Sequence, residues 1–131
     1  MKYLGRNEIL SAADLIYEDI DVPEWGGLVR ICSLSGADRD AWEMSLMKHP
    51  GESKEVDLQN MRARLVAKSV VDETGKRIFS DTDVIGLGKK SARALMRVFD
   101  AAVKLNAVSE ADIEEIEKNS VSGQSNDSGT D

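Results

Sequence analysis

The sequence predicts a mostly α-helical domain that carries a small N-terminal β-hairpin, an α+β fold. The chain has 131 residues, 41% of them hydrophobic, enough for one compact domain with a real core. Only six residues are aromatic while 31% are charged, a balance typical of helical proteins rather than β-sandwiches. Apolar residues alternate with polar ones over 17–32 and recur every three to four residues in later segments. We therefore expect a single small helical domain with one hairpin.

The hairpin is predicted from the segments on either side of the stretch "DVPEWGG", residues 21–27. Period-two alternation up to Val22 and again from Val29 indicates two strands joined by a tight turn. Pro23 suits a strand end because its missing N–H costs no ladder bond there. Gly26 and Gly27 are both predicted to supply the positive φ angles of the return, with Trp25 packed across the ribbon.

Four helices are predicted after the hairpin. Ser35 is a good N-cap for the first, and Pro50 with Gly51 ends it. A second helix is expected over about 56–71, and the longest over about 89–106, each with a buried stripe at three- and four-residue spacing. Ser109 caps a last helix. Between the second and the longest helix, Ile78 and Phe79 are expected to return to the core.

The domain organisation follows from these elements. Residues 1–16 form an N-terminal arm, residues 17–119 the hairpin plus helical domain, and residues 120–131 a disordered polar tail with one weakly apolar residue. Charge is uneven along the chain, with net −6 over 109–131 and net +5 over 58–97. The basic middle is either an ordinary solvated surface or a face for a partner or for the chain's own tail.

Composition excludes several functional classes. Cys32 and His49 are each the single residue of their type, so a disulfide within the chain, a cysteine metal site or a histidine-based triad lacks partners. The sequence shows no membrane-spanning apolar run and no secretory leader, which predicts a cytoplasmic protein. No nucleophile stands at a recognisable spacing from a base, so we expect no enzymatic activity and no cofactor or metal.

The stretch "GLGKKSARAL", residues 86–95, has two interpretations. A Walker phosphate loop is excluded because Lys90 stands where Ser or Thr is required. The apolar–Gly–apolar–Gly pattern resembles a helix-hairpin-helix, with Gly86, Gly88, Lys89 and Lys90 as DNA-binding candidates through backbone N–H groups and lysines. The other interpretation is that Gly88 simply frees the turn before the longest helix.

Methionines and tryptophans are the candidates for a protein-binding surface. Met44 and Met47 fall partly off the apolar face of the first helix, where methionine can line an adaptable surface. The candidate partner-binding residues are Trp25, Trp42, Met44 and Met47.

The ordered combination "VPEWGG", "LSGADRDAWE", "VVDETGKRIFSDTDV" and "LGKKSARAL" resembles the tail assembly chaperones of long-tailed bacteriophages (siphoviruses), the short product of a frameshifted gene pair. The resemblance covers about residues 7–119 and departs from the family at Gly86, where a larger residue is expected. It implies a non-catalytic protein that binds the tape measure protein, helps recruit tail tube subunits, acts in the host cytoplasm and is absent from the mature virion.

The resemblance also implies a frameshifted long form as a partner, and a homo-oligomer is possible. Membranes and nucleic acids are not expected as partners. Glu117-Lys118-Asn119 can be encoded GAA-AAA-AAC, which contains a slippery run for a programmed −1 frameshift where the folded part is predicted to end. Synonymous codons would remove that run, so the alternative of an ordinary helix end stays open.

Overall fold

The computed structural model of the protein describes residues 2–47 and 60–107. It contains five helices and three strands in these ranges, together with two 3-10 turns at Pro23–Trp25 and Asp81–Asp83. In chain order the elements are α1 (Arg6–Ser11), β1 (Tyr17–Val22), β2 (Gly27–Cys32), α2 (Gly36–Ser45), α3 (Met61–Ser69), β3 (Val70–Val71), α4 (Val84–Gly88) and α5 (Ala92–Leu105). The predicted α+β class, one small helical domain with an N-terminal hairpin, is confirmed.

The hairpin is built on a short 3-10 turn. β1 and β2 pair antiparallel from Tyr17↔Cys32 to Val22↔Gly27. Pro23 opens the 3-10 turn, and Gly26 closes it with φ +79° while its N–H donates to the Val22 carbonyl at 3.0 Å. Gly27 begins β2 without a positive φ, so only one of the two glycines has the predicted role. One left-handed residue suffices because the 3-10 turn performs most of the reversal.

A third strand joins the hairpin, which the sequence did not predict. β3 pairs antiparallel with β2 through Arg30↔Val71 and Ile31↔Val70, giving the order β1-β2-β3. The segment after β3 turns back at once: Asp72 Oδ1 accepts from the Thr74 and Lys76 backbone N–H groups at 2.8 and 3.0 Å. These bonds fold the polar stretch "DETGK" into a tight loop.

The core lies between the sheet and the helices that pack against it. α3 packs against α5, and α5 also packs on β1 and β2. The core cluster draws on every one of these elements and includes Val22, Ile31, Trp42, Leu65, Val66, Val98 and Phe99. α3 is the central helix, with six of its nine residues buried. Its C-terminal carbonyl at Ala67 is satisfied by two donors of the Arg77 guanidinium, at 3.0 and 3.1 Å.

Several predicted boundaries are wrong. The second helix was expected over about 56–71, but α3 ends at Ser69 and Val70–Val71 continue as strand, since β-branched valines fit a sheet next to Ile31. The longest helix begins at Ala92 rather than Lys89, because the Ser91 hydroxyl accepts from the Ala94 N–H and sets the N-cap.

The two residues expected to return to the core behave differently. Phe79 packs against the core as predicted, whereas Ile78 is exposed, because neighbouring residues in an extended segment point to opposite sides. The predicted last helix at Ser109, the polar tail 120–131 and residues 48–59, with His49, lie outside the described residues.

Residues 2–16 correspond to the predicted N-terminal arm, and every one of them is exposed. Within the arm, α1 is held by its own contacts: Glu8 accepts from the Gly5 N–H at 2.9 Å and pairs with Lys2 at 2.7 Å. The arm joins the domain at Ile16, whose carbonyl accepts from the Ser33 N–H at 2.8 Å.

Candidate partner-binding site

Helix α2 is anchored at both ends, which fixes the side chains it presents. The Ser35 hydroxyl accepts from the Asp38 N–H at 3.1 Å and provides the predicted N-cap. At the other end, the Arg64 guanidinium from α3 donates to the Ser45 carbonyl at 2.7 Å. A charged donor on a terminal carbonyl replaces a hydrogen bond that the helix cannot make for itself. α2 is therefore a rigid support for its exposed side chains.

Trp42 is a core residue and cannot contact a partner, which corrects its prediction as a binding residue. Its side chain is 1% exposed and belongs to the main core cluster. The indole Nε1 donates to the Met61 carbonyl at 3.4 Å, at the first residue of α3. Burial follows from helix geometry, because Trp42 and Leu46 are four residues apart and share the face that packs on α3.

Met44 is the predicted binding residue whose side chain is exposed to solvent. Its side chain is 55% exposed, two residues from Trp42 and on another side of the helix. Met47, just beyond the end of α2, is half-buried. A thioether on an unbranched chain adapts to partners of varied shape, so the end of α2 offers a small adaptable apolar surface.

Trp25 lies at the tip of the hairpin, half-buried against the core. Its 3-10 turn packs on α5, and next to it the Arg97 Nε donates to both Glu24 carboxylate oxygens, at 2.9 and 3.2 Å. The hydrogen bond from Arg97 lowers the pKa of the Glu24 carboxyl below its ordinary value. Trp25 thus helps to hold the hairpin on α5.

The four predicted binding residues do not form one surface. Trp42 is inside the core. Trp25 is in the hairpin turn, which packs on α5, whereas Met44 and Met47 lie on or just beyond α2, the helix that packs on α3. Among these four residues, Met44 near the end of α2 has the most exposed apolar side chain.

The DNA-binding candidates at 86–91 lie on a helix end rather than in an open loop. Gly86 and Gly88 are both inside α4, neither with positive φ, and Leu87 between them is buried. The Lys89 and Lys90 N–H groups donate to the carbonyls of Gly86 and Leu87, at 3.2 and 3.0 Å. The N–H groups of Lys89 and Lys90 close α4 and are therefore not free to donate to a phosphate.

Gly88 lies in α4 without a positive φ, so its role is close packing rather than the predicted freeing of the turn before the longest helix. A Cβ built on Gly88 would meet the Asn60 side chain, whereas one built on Gly86 would meet nothing within 4 Å. Asn60 caps the start of α3 in a left-handed conformation, φ +58°. Gly88 therefore lets the end of α4 approach the start of α3.

Sequence reasoning missed two exposed apolar residues of the folded domain. Leu28 is 71% exposed on β2, and Ile85 is 66% exposed on α4. The signal for Leu28 was present, because it stands one residue out of phase with the core-facing pair Val29 and Ile31. Ile85 gave no such signal, since the helix that carries it has only five residues.

Among residues 2–47 and 60–107, no three His, Cys, Asp or Glu side chains come together in a way that could hold a metal ion. No helix in this part of the chain has the length and apolarity needed to cross a bilayer.

Comparison with known proteins identifies the family. Residues 6–119 match the family model described as phage tail assembly chaperone. The solved structure of the bacteriophage HK97 tail assembly chaperone is similar in fold, with a TM-score of 0.55 and 20% sequence identity over 76% of this chain and 90% of that one. No curated protein matches the sequence. Since the family match takes in the hairpin, the sheet and all the core helices, the chain belongs to the phage tail assembly chaperone family.

Proposed function

We propose that the protein is a non-catalytic chaperone that binds the tape measure protein during phage tail assembly and helps recruit tail tube subunits around it. The observation that carries the proposal is the family match over residues 6–119. The physical requirement is plain: a long chain of amphipathic helices aggregates when its apolar faces are bare, and a binder must cover those faces reversibly.

The end of α2 supplies a surface of the required kind. Met44 is exposed on a helix whose ends are both anchored, so its backbone need not be ordered when a client binds.

Co-expression with the tape measure protein tests the proposal. We expect the wild-type chain to keep the tape measure protein soluble, and Met44→Asp to reduce the soluble fraction severalfold because a charge replaces the apolar contact. Ala41→Asp, at an exposed position of the same helix, adds the same charge without removing a large apolar group and is the matched control. A tape measure protein that precipitates equally with and without the wild-type chain would contradict the proposal.

A −1 frameshift at residues 117–119 would produce a second, longer form of the chaperone. The proposal depends on the codons for Glu117-Lys118-Asn119, which decide whether the run A-AAA-AAC is present. We expect an open −1 frame beyond them that replaces residues 120–131 with a longer segment. An early stop in that frame would exclude the long form.

We also propose that the protein acts in the host cytoplasm and leaves before the virion is complete. Mass spectrometry of infected cells and of purified virions tests this: we expect its peptides in the cells and not in the particles. Stoichiometric amounts in purified virions would contradict it.

A further inference from the structure

The surface where α4 ends and α5 begins is basic. Residues 84–99 contain four bases and no acid. Arg97 is paired with Glu24 of the hairpin turn, with 2.9 Å between Nε and Oε1. The other three bases are exposed and form no ion pair with any residue in 2–47 or 60–107: Lys89, Lys90 and Arg93. Like charges this close repel one another, so the cluster favours an anionic partner.

An uncovered apolar side chain lies beside these charges. Ile85 is 66% exposed on α4. Lys89 directly follows α4, four residues after Ile85, so the two side chains lie on the same side of the helix end. Only residues 89–91 separate α4 from α5, which keeps Arg93 near the two lysines. Ile85, Lys89, Lys90 and Arg93 are here called the basic surface, and its occupant must bring negative charge together with an apolar residue.

The C-terminal part of this chain has the complementary composition. Residues 109–117 contain no base and five acids: Glu110, Asp112, Glu114, Glu115 and Glu117. Ile113 and Ile116 lie among these acids. Their spacing of three residues places both on one side of the helix that the sequence predicts after the Ser109 cap. The segment therefore combines the negative charge and the apolar side chains that the basic surface requires.

The chain leaves α5 at a point from which this segment can reach the basic surface. Asn106 fixes that point, because its Nδ2 donates to the Ala102 carbonyl at 2.8 Å and its Oδ1 accepts from the Leu34 N–H at 2.6 Å. Ala107 follows with φ +55°, a left-handed residue that ends the helix. The 14 residues of α5 span about 21 Å. The chain from Ala107 to Glu117 spans about 15 Å as a helix and about 35 Å fully extended, a range that includes the start of α5.

We propose that residues 109–117 dock on the basic surface of the same molecule, with their acids near Lys89, Lys90 and Arg93 and their isoleucines against Ile85. A segment tethered to the domain acts at an effective concentration on the order of millimolar, which favours it over an unlinked anion or a second copy. Docking neutralises the cluster and therefore shields it from other polyanions, nucleic acid among them.

Paramagnetic relaxation enhancement in the full-length, isotope-labelled chain tests the contact. Cys32→Ala removes the native thiol, and Ser120→Cys carries a spin label just beyond the acidic segment. We expect the label to lower the amide signals of residues 85–93 more than about twofold relative to the reduced label, and to lose this effect at about 1 M salt, where the screening length is about 3 Å. Proximity is the readout because exposed ion pairs contribute little to stability.

Charge reversal on the labelled background identifies the surface. Lys89→Glu with Lys90→Glu should abolish the loss of signal at residues 85–93. Lys2→Glu with Lys76→Glu reverses two exposed charges elsewhere and is the matched control, which should keep the loss of signal.

A second measurement retains Cys32. Glu115→Gln with Glu117→Gln should shift the amide resonances of residues 89–93. Asp127→Asn with Asp131→Asn removes two acids from outside the segment and should leave those resonances in place.

Three outcomes would overturn the inference. The first is a label that leaves residues 85–93 unaffected at low salt, and the second is an effect that persists in Lys89→Glu with Lys90→Glu. The third is an equal effect when the spin-labelled chain is not isotope-labelled and is mixed with an isotope-labelled chain without a spin label, since the segment would then dock on a second copy. No client is present in any of these measurements, so this inference and the proposed function can fail separately.

Discussion

At the scale of single residues, Trp42 was a candidate for partner binding, but its position in the core means that it stabilises the fold. Its side chain is 1% exposed, and its Nε1 donates to the carbonyl at the start of α3. We predict that Trp42→Ala lowers the free energy of unfolding by about 3–5 kcal/mol through lost burial and a cavity. Chemical denaturation measures this, and Met44→Ala on the same helix is the control, expected to change stability little. An unfolding midpoint for Trp42→Ala close to that of wild type would contradict the core assignment.

The two glycines of α4 form a matched pair for a second prediction. At Gly86 an added Cβ meets nothing within 4 Å, so Gly86→Ala should stabilise the protein by about 0.5–1 kcal/mol through reduced chain entropy. Gly88→Ala should lack that gain, since its Cβ would displace the Asn60 side chain. Thermal melting of both variants distinguishes them. Equal stabilisation by the two substitutions would show that Gly88 has no packing role.

At the scale of elements, α4 and α5 make a helix pair with the outline of a DNA-binding hairpin, but two of the backbone donors between them are already used. The N–H groups of Lys89 and Lys90 are bonded to α4 carbonyls. We predict that the protein does not retain duplex DNA at physiological salt, and that Lys89→Glu with Lys90→Glu changes neither DNA retention nor stability measurably. A DNA-retention assay across a salt series measures this. Salt-dependent retention that the double variant abolishes would favour the DNA-binding alternative.

The end of α3 is set by tertiary contacts rather than by the local sequence pattern. The segment from Val66 to Val71 continues the helical spacing of buried residues, and it contains no proline or glycine that would end the helix at Ser69. The chain leaves the helix there because β2 offers an open edge for Val70 and Val71. A short apolar stretch of sequence cannot distinguish a buried helix from a buried strand, because both contain apolar side chains.

At the scale of the whole molecule, ion pairs join β1 to β2, the hairpin turn to α5, and α3 to the segment after β3. Arg30 lowers the pKa of Asp19, and Arg97 lowers that of Glu24, mainly through hydrogen bonds. The Lys68 charge, followed by the Arg77 hydrogen bond, lowers the pKa of Asp81. A carboxyl whose folded pKa lies below its unfolded value stabilises the fold above the unfolded pKa, and that contribution is lost as pH falls through the folded pKa.

We therefore predict a thermal midpoint that is steady from neutral pH down to about pH 5 and falls below about pH 4, where carboxyls of ordinary pKa begin to protonate. The contribution of each pair is small because these groups are largely exposed. Glu24→Gln with Asp19→Asn should flatten the acid limb of the melting profile. An acid limb identical to that of wild type in this double variant would contradict the assignment.

The sequence by itself determined the fold class, the hairpin with its turn, the N-cap at Ser35 and the order of the core helices. These features depend on local chemistry: alternation, a proline at a strand end, a left-handed glycine and a capping hydroxyl. Only the tertiary structure decided that Trp42 is inside while Met44 is outside, that Val70–Val71 become a third strand, and that the residues of the N-terminal arm stay exposed. Those outcomes depend on which distant segment packs on a given surface. A linear pattern of apolar residues predicts that a side chain is buried, but it does not predict which part of the chain buries it.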